Sequence, residues 1–294
     1  MANERLIKGR IKSAKNISQI TKAMQMVAAS KMKKAQSAAI SGRPYAEKIA
    51  EMVSTFVKRI DESQHPLLKQ NASGKTLIVL ISTNKGLLGG LNTNLFRTFT
   101  NWFTNEELNN STFVTLGKKG ESFLVRSQRS LLADFSSTAP FTKNIAALTT
   151  LITEGFLKGE FKEVYLVYSN FISALRQEPM RKKILPIAQF SFAQKGTVAV
   201  DVSGESSEAL EFLVEPSIEA ILDTLLFHYL ENQIRDAVLE TEASEHSARM
   251  MAMKNATDNA LELVDLLTLE YNKARQEKIT SEIADLITAG MAVI

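Results

Sequence analysis

The 294 residues suffice for one large or two ordinary domains, and 45% apolar with 23% charged residues is a globular composition. Cysteine is absent, which excludes a disulfide scaffold, thiolate metal sites and a cysteine nucleophile. The net charge of +3 conceals an asymmetry. Residues 1–60 carry 13 Lys/Arg against 3 Asp/Glu, whereas residues 205–294 carry 6 against 18, so the two ends suit each other or two different partners.

The chain opens on a long helical pattern with neither glycine nor proline between Gly9 and Gly42. Its first 20 residues lack the apolar core of a secretory signal, and their basic pattern continues past residue 40, which suits a mature element better than a transit peptide. Ile7, Ile11, Ala14, Ile17, Ile20, Met24 and Val27 form its apolar stripe. Gly42 and Pro44 predict a kink or short break before helical composition resumes to about Ile60.

The middle alternates strands and helices. "KTLIVLIS" (75–82), "STFVTLG" (111–117) and "KEVYLVYSNF" (162–171) read as buried strands, and "TKNIAALTTLITEGFL" (142–157) reads as an amphipathic helix. That order predicts a parallel, layered α/β domain. A weaker strand signal falls in 188–212, with "SFAQKGTVAV" the best of it. The apolar runs are far too short to span a bilayer.

From Ser217 to Ala289 there is again no glycine or proline. A helix over that stretch would be about 110 Å long and needs a partner to hide its apolar side. Pro216, Ser217 and Glu219 mark its start and Gly290 its end. Met253, Ala256, Ala260, Leu263, Leu267 and Ala274 step by threes, fours and sevens, as a coiled coil requires. The basic first helix and the acidic last helix pair as an antiparallel coiled coil. Its register aligns Met24, Met26 and Met32 with Met250, Met251 and Met253, leaving the last 20 or so residues overhanging. The predicted organisation is a coiled-coil helix over 1–60, a linker over 61–74, an inserted Rossmann-like α/β domain over 75–212 and a second coiled-coil helix with an apolar tip over 213–294.

Candidate chemistry is sparse. "NASGKT" (71–76) lacks the first glycine of a phosphate loop and precedes its strand, so it reads as a polar turn. "GLLGG" (86–90) lacks dinucleotide-loop spacing and reads as a tight strand-to-helix turn. His65, His228 and His246 have no metal-ligand spacing. No catalytic, cofactor-binding or metal residue is expected. The basic first helix lacks the interleaved aromatics and arginines of a nucleic-acid arm, and its Ile, Met and Ala face suits a partner helix better than a membrane surface. An α/β enzyme with helical arms and a coiled-coil tether or nucleic-acid adaptor remain open on these residues alone.

The order of the motifs narrows the choice. "ITKAMQMVAASKMKKAQ" (20–36) with "RPYAEKI" (43–49), "STNKGLLGGLNTNL" (82–95), "SEHSARMMAMKNATDNA" (244–260) and "YNKARQEKITSEI" (271–283) together resemble the gamma subunit of F-type ATP synthases. The resemblance covers essentially the whole chain. It implies a non-catalytic rotor shaft that couples ion-driven rotation of a membrane c-ring to ATP synthesis or hydrolysis. The implied partners are a hexamer of three alpha and three beta subunits, the epsilon subunit and the c-ring, with no nucleic acid and no direct membrane insertion. It further implies beta-subunit contacts at Lys22, Met24, Arg249, Gln276 and Thr280, a c-ring contact at Glu215, and an apolar bearing tip at Leu286, Ile287, Met291 and Val293. Val214 stands where the family often has an aromatic, and Lys85 and Leu87–Leu88 replace the family's commoner Arg and Leu–Cys. With the start "MANERLIKGRI", the implied location is the cytoplasmic face of a bacterial plasma membrane, as a peripheral protein.

Overall fold

The computed structural model describes residues 4–57, 65–137, 140–187 and 217–291. Its elements are α1 (Glu4–Val57), β1 (Lys75–Ile81), α2 (Leu91–Trp102), α3 (Asn105–Asn109), β2 (Ser111–Leu116), α4 (Lys118–Arg126), β3 (Leu131–Asp134), a 3-10 turn (Phe141–Asn144), α5 (Ile145–Leu157), β4 (Phe161–Phe171), β5 (Gln177–Leu185) and α6 (Ile218–Met291). They form two compact units. One comprises Met1–Lys31, Leu87–Gly89 and His246–Ile294, and the other Met32–Gly86 and Gly90–Glu245.

The first unit is an antiparallel helix pair. The hydroxyls of Thr21 and Thr257 meet at 2.7 Å, and the Tyr271 hydroxyl donates to Glu4 Oε1 at 2.9 Å. This is the register of the methionine alignment. From Ile7 to Phe56, α1 is buried or half-buried at every position on an unbroken alternation of fours and threes. On α6 the same alternation runs from Met253 through Thr257, Ala260, Val264 and Leu267 to Tyr271 and Ala274. A 3.5-residue repeat is what keeps two helices in contact as they supercoil.

The seam differs from the predicted one in its residues. After Ala14 it passes through Ser18, Thr21, Gln25 and Ala28, leaving Ile17, Ile20 and Val27 exposed by 52, 60 and 57%. On α6 it takes Val264, not Leu263, which is 47% exposed, and Thr257, not Ala256. The predicted Ile7, Ile11, Ala14, Met253, Ala260, Leu267 and Ala274 do lie on the seam. At its centre, however, the pair buries the small Ser18, Ala28, Thr257 and Ala260, which let the helices approach closely, and leaves Ile17, Ile20, Val27 and Leu263 outside.

The predicted break at Gly42 and Pro44 is absent, since α1 runs through both. Pro44 removes one helical donor, but it and Ile40 lie on the exposed side, where the freed carbonyl is open to water. Ala35, Ile49 and Val53 hold the helix by burial on either side. The helix α6 likewise continues through Gly290 to Met291.

In the second unit the sheet order is β3-β2-β1-β4-β5, parallel except for the antiparallel β4–β5 pair. The strands β3 and β5 gave no sequence signal of the strength that marked the others. β3 has only four residues, and β5, "QEPMRKKIL", is a charged strand at the sheet's edge among the described residues, a composition that blocks edge-to-edge pairing. The signal over 188–212 lies outside the described residues.

One sheet face packs α5 together with the ends of the long helices, joining Val53, Phe56, Leu226, Leu230 and Ile234 to Leu77, Val79 and Ile81. The other packs Leu95, Phe99 and Leu124 of α2 and α4 against Ile78, Leu80 and Phe113. β1 is hidden on both faces and accordingly reads as a continuous apolar run. "NASGKT" is the polar turn into β1, with the Asn71 amide donating to the carbonyls of Phe156 and Phe161 at 2.9 and 2.8 Å. Helix α6 is tied to the sheet by the Ser244 hydroxyl, which donates to the Ser169 carbonyl at 3.0 Å.

Two measurements check these packing arguments. Spin labels at residues 20 and 256 should report the short separation of neighbouring helices, whose axes lie about 8–10 Å apart. At Gly117, with φ +111°, a Cβ would sit 2.4 Å from the Ser82 carbonyl oxygen. Gly117→Ala should therefore cost about 1–3 kcal/mol, read as a lowered urea midpoint with native secondary structure retained.

Candidate partner-binding surface

In open parallel sheets, ligands bind beyond the carboxyl ends of the strands. Here those ends are occupied by the chain's own polar groups. The Ser82 hydroxyl accepts from the Gly120 amide at 2.8 Å and donates to the Gly117 carbonyl at 3.0 Å. The Asn84 side chain accepts from the Lys118 amide at 2.9 Å and donates to the Ser136 carbonyl at 3.1 Å. Asp134 accepts from the Thr115 hydroxyl at 2.7 Å and from the Ser136 amide at 3.1 Å. The amides at the start of α4 that could face a phosphate are already bonded, Lys118 to the Asn84 side chain, Lys119 to the Thr83 carbonyl and Gly120 to the Ser82 hydroxyl. Among the described residues no group of His, Asp and Glu is placed to hold a metal ion.

The histidines have local roles. His65 is buried, accepts from the Leu67 amide through Nδ1 at 3.2 Å and lies 2.7 Å from Asp223 Oδ1 through Nε2, an arrangement that makes Nε2 the donor. His228 is half-exposed beside Glu231, at 3.7 Å. His246 is half-buried on α6, 3.4 Å from Arg249 Nη1. Burial, then the cations of Arg249 and Lys31, push its pKa down to about 4.

The outer surface of the helix pair is the more informative place. Leu6, Ile17, Ile20, Met26 and Val27 on α1 and Leu261, Leu263, Leu266 and Leu269 on α6 are all exposed. A groove of about 770 Å³ runs between the helices, lined by Leu6, Ala14 and Ile17 on one side and Ala260, Leu263 and Leu267 on the other. Scattered apolar residues are ordinary on a surface, but a continuous band of them marks an interaction site.

The expected contact residues distribute over this unit. Lys22 is exposed beside half-buried Met24 on α1, and half-buried Arg249 lies on α6. Gln276 and Thr280 lie one turn apart on the exposed end of α6, where the Thr280 hydroxyl donates to the Gln276 carbonyl at 2.9 Å. Gln276 and Thr280 therefore share one exposed face, apart from the Lys22 and Met24 level. Leu286 and Ile287 are 73 and 54% exposed. Met291 is helical, while Glu215 and Val293 lie outside the described residues. Sequence reasoning gave Leu87 no contact role, yet it is 64% exposed with φ +64°. A leucine there is costly, and its place between glycines in "GLLGG" was the available signal.

The His246 shift has a definite sign. The unfolded histidine takes up a proton near pH 6.5 and the folded one near 4, so the unfolded state binds more protons in between. The contribution to stability is complete above about pH 6.5 and declines as pH falls toward 4. In urea titrations, His246→Gln should flatten the stability slope across this window relative to the parent chain.

The fold agrees with comparisons to known proteins. A family model described as ATP synthase matches residues 3–293. The chain is 44% identical to the ATP synthase gamma chain of Opitutus terrae, over 99% of each chain. It is 42% identical to that of Methylacidiphilum infernorum over the full length of both. Among solved structures, it resembles the central stalk and c-ring structure of Tetrahymena thermophila mitochondrial ATP synthase, with TM-score 0.56 and 27% identity over 81% of this chain and 99% of that one. The rotor of the Euglena gracilis mitochondrial enzyme shares the fold, with TM-score 0.61 and 22% identity over 94% of this chain and 98% of the other. The chain belongs to the ATP synthase gamma-chain family.

Proposed function

We propose that this chain is the central rotor shaft of an F-type ATP synthase, a non-catalytic subunit that carries torque between a membrane ring and a catalytic hexamer. The observation that supports this most directly is the helix pair's inverted use of apolar residues. Small side chains such as Ala14, Ser18, Ala28, Thr257 and Ala260 fill much of the seam, while Ile17, Ile20, Val27, Leu263 and Leu269 face outward. A freely solvated coil gains nothing from that arrangement, whereas a shaft enclosed by other subunits does.

On this reading one copy stands within three alpha and three beta subunits, with epsilon alongside and the c-ring below. A single asymmetric shaft presents different faces to three chemically identical beta subunits, and their affinities change only through such differential contacts. Lys22, Met24, Arg249, Gln276 and Thr280 make beta contacts, Glu215 meets the c-ring, and the last turns of α6 form an apolar bearing. Among the described residues no helix is long and apolar enough to cross a membrane. Assembly with the ring makes the attachment peripheral, and the membrane we propose is the bacterial plasma membrane at its cytoplasmic face.

Native mass spectrometry of the complex drawn gently from its own host should find one copy of this chain with three alpha and three beta subunits and ATPase activity. A free monomer or a homodimer would overturn the proposal. Within the complex, Arg249→Ala should remove a charge-assisted bond of about 1.5–3 kcal/mol and slow ATP turnover roughly tenfold or more. A conserved rate in that variant would remove Arg249 from the contact set.

A further inference from the structure

We propose that Thr21 and Thr257 form a register lock for the α1–α6 coil, and that their paired hydroxyls fix the axial positions of the coil's outward side chains. The second half of this statement rests on the shaft reading above.

The need for a lock follows from the seam. Between Ala14 and Ala35, the α1 seam positions are Ser18, Thr21, Gln25, Ala28 and Met32. None is a branched aliphatic, the residue type that gives a coiled coil a strongly preferred register. With Thr21 opposite Thr257, Ser18 falls opposite Ala260 and Ala28 opposite Met250. Small and pliable side chains of this kind tolerate displacement. The 4–3 alternation repeats every seven residues, so sliding by one heptad preserves a seam of similar size.

The threonine pair breaks that degeneracy. The two oxygens lie 2.7 Å apart, and both residues are at least partly shielded, with Thr257 buried. Each hydroxyl also reaches its own helix: Thr257 to the Met253 carbonyl at 2.8 Å, and Thr21 to the Ile17 carbonyl at 2.9 Å or the Ser18 carbonyl at 3.1 Å. Two hydroxyls carry only two protons, so one donates across the interface while the other keeps its bond within the helix. After a slip of one heptad, Thr21 would face Val264 or Met250, and Thr257 would face Ala14 or Ala28. No seam hydroxyl would then meet either one. Apart from the Tyr271–Glu4 bond near the start of α1, the threonine pair is the polar pair described across this seam, and a polar pair in a permissive seam is a well-attested way to specify register.

Register matters because the outward residues sit on both helices. A one-heptad slip displaces α6 along α1 by about 10 Å. That would separate Lys22 and Met24 from their present level relative to Arg249 and Gln276.

The test uses the assembled complex with spin labels at positions 15 and 262, both exposed and nearly level across the coil. The absence of native cysteine makes the labelling specific. The parent chain should give one narrow distance. Thr21→Val with Thr257→Val preserves shape but removes both hydroxyls, and should add a population displaced by about 10 Å along the axis. Thr21→Ser with Thr257→Ser should restore the single distance. Ion pumping per ATP hydrolysed should fall at least twofold in the valine variant and recover in the serine variant. If the double-valine chain fails to assemble, Thr21→Val alone should give a smaller displaced population.

An unchanged narrow distance in the valine variants overturns the lock. Equal broadening in the serine variant also overturns it, because packing and not the hydroxyl would then set the register. A displaced register with unchanged coupling leaves the lock standing and overturns its part in torque transmission.

Discussion

Two helices of 54 and 74 residues persist by hiding a stripe along most of their length, and the 3.5-residue seam meets that need as far as Ala274 of α6. Isolated helices are marginal in water, and most helical stability in proteins comes from packing. The unbroken alternation from Ile7 to Phe56 therefore does more than describe α1. It explains why the helix survives Gly42 and Pro44, which would end a helix without lateral support. The same alternation on α6 from Met253 to Ala274 requires a partner helix, and the Thr21–Thr257 and Tyr271–Glu4 contacts show that it runs antiparallel and in this register.

The long helices also supply the core of the α/β unit. Ile49, Val53 and Phe56 of α1 and Leu222, Leu226 and Leu230 of α6 belong to the same apolar cluster as β1, β4 and α5. The seam residues change character accordingly. In the coil they are mostly Ala, Ser, Thr and Met, suited to close approach by one neighbour. Beside the sheet they are Ile, Val, Leu and Phe, which fill the wider space among several elements. A single heptad pattern thus serves two packing regimes through side-chain volume alone.

Much of this was legible in the sequence. The paired terminal helices, the parallel layered domain and the coil's direction and register followed from glycine and proline spacing, charge asymmetry and methionine placement. The identities of the central seam residues did not. Ser18 and Thr257 are inside while Ile17 and Leu263 are outside, because hydropathy alone ranks residues by transfer to an apolar phase and cannot see an outer face built for other proteins. The edge strands were also hidden, since β5 needs charge to remain a safe edge and β3 is too short to show a period. At the candidate surface, the motifs indicated residues such as Arg249 and Gln276, but only the structure revealed the exposed aliphatics elsewhere on the two helices and the positive φ of Leu87.

The far end of α6 sharpens the argument for external partners. Every described side chain from 275 to 288 is exposed, and the stretch carries only the Lys278 pairs with Glu4 and Glu282, each at 3.7 Å, as lateral ion pairs. Such pairs contribute little at a surface. Yet Ile279, Ile283, Leu286 and Ile287 continue an apolar stripe at helical spacing. A short solitary stretch of helix with that stripe unburied is marginal alone, and among the described residues nothing covers it. A sleeve of surrounding subunits supplies the missing surface. With few fixed ion pairs on that stretch, such a sleeve can bear against it without gripping it at one angle.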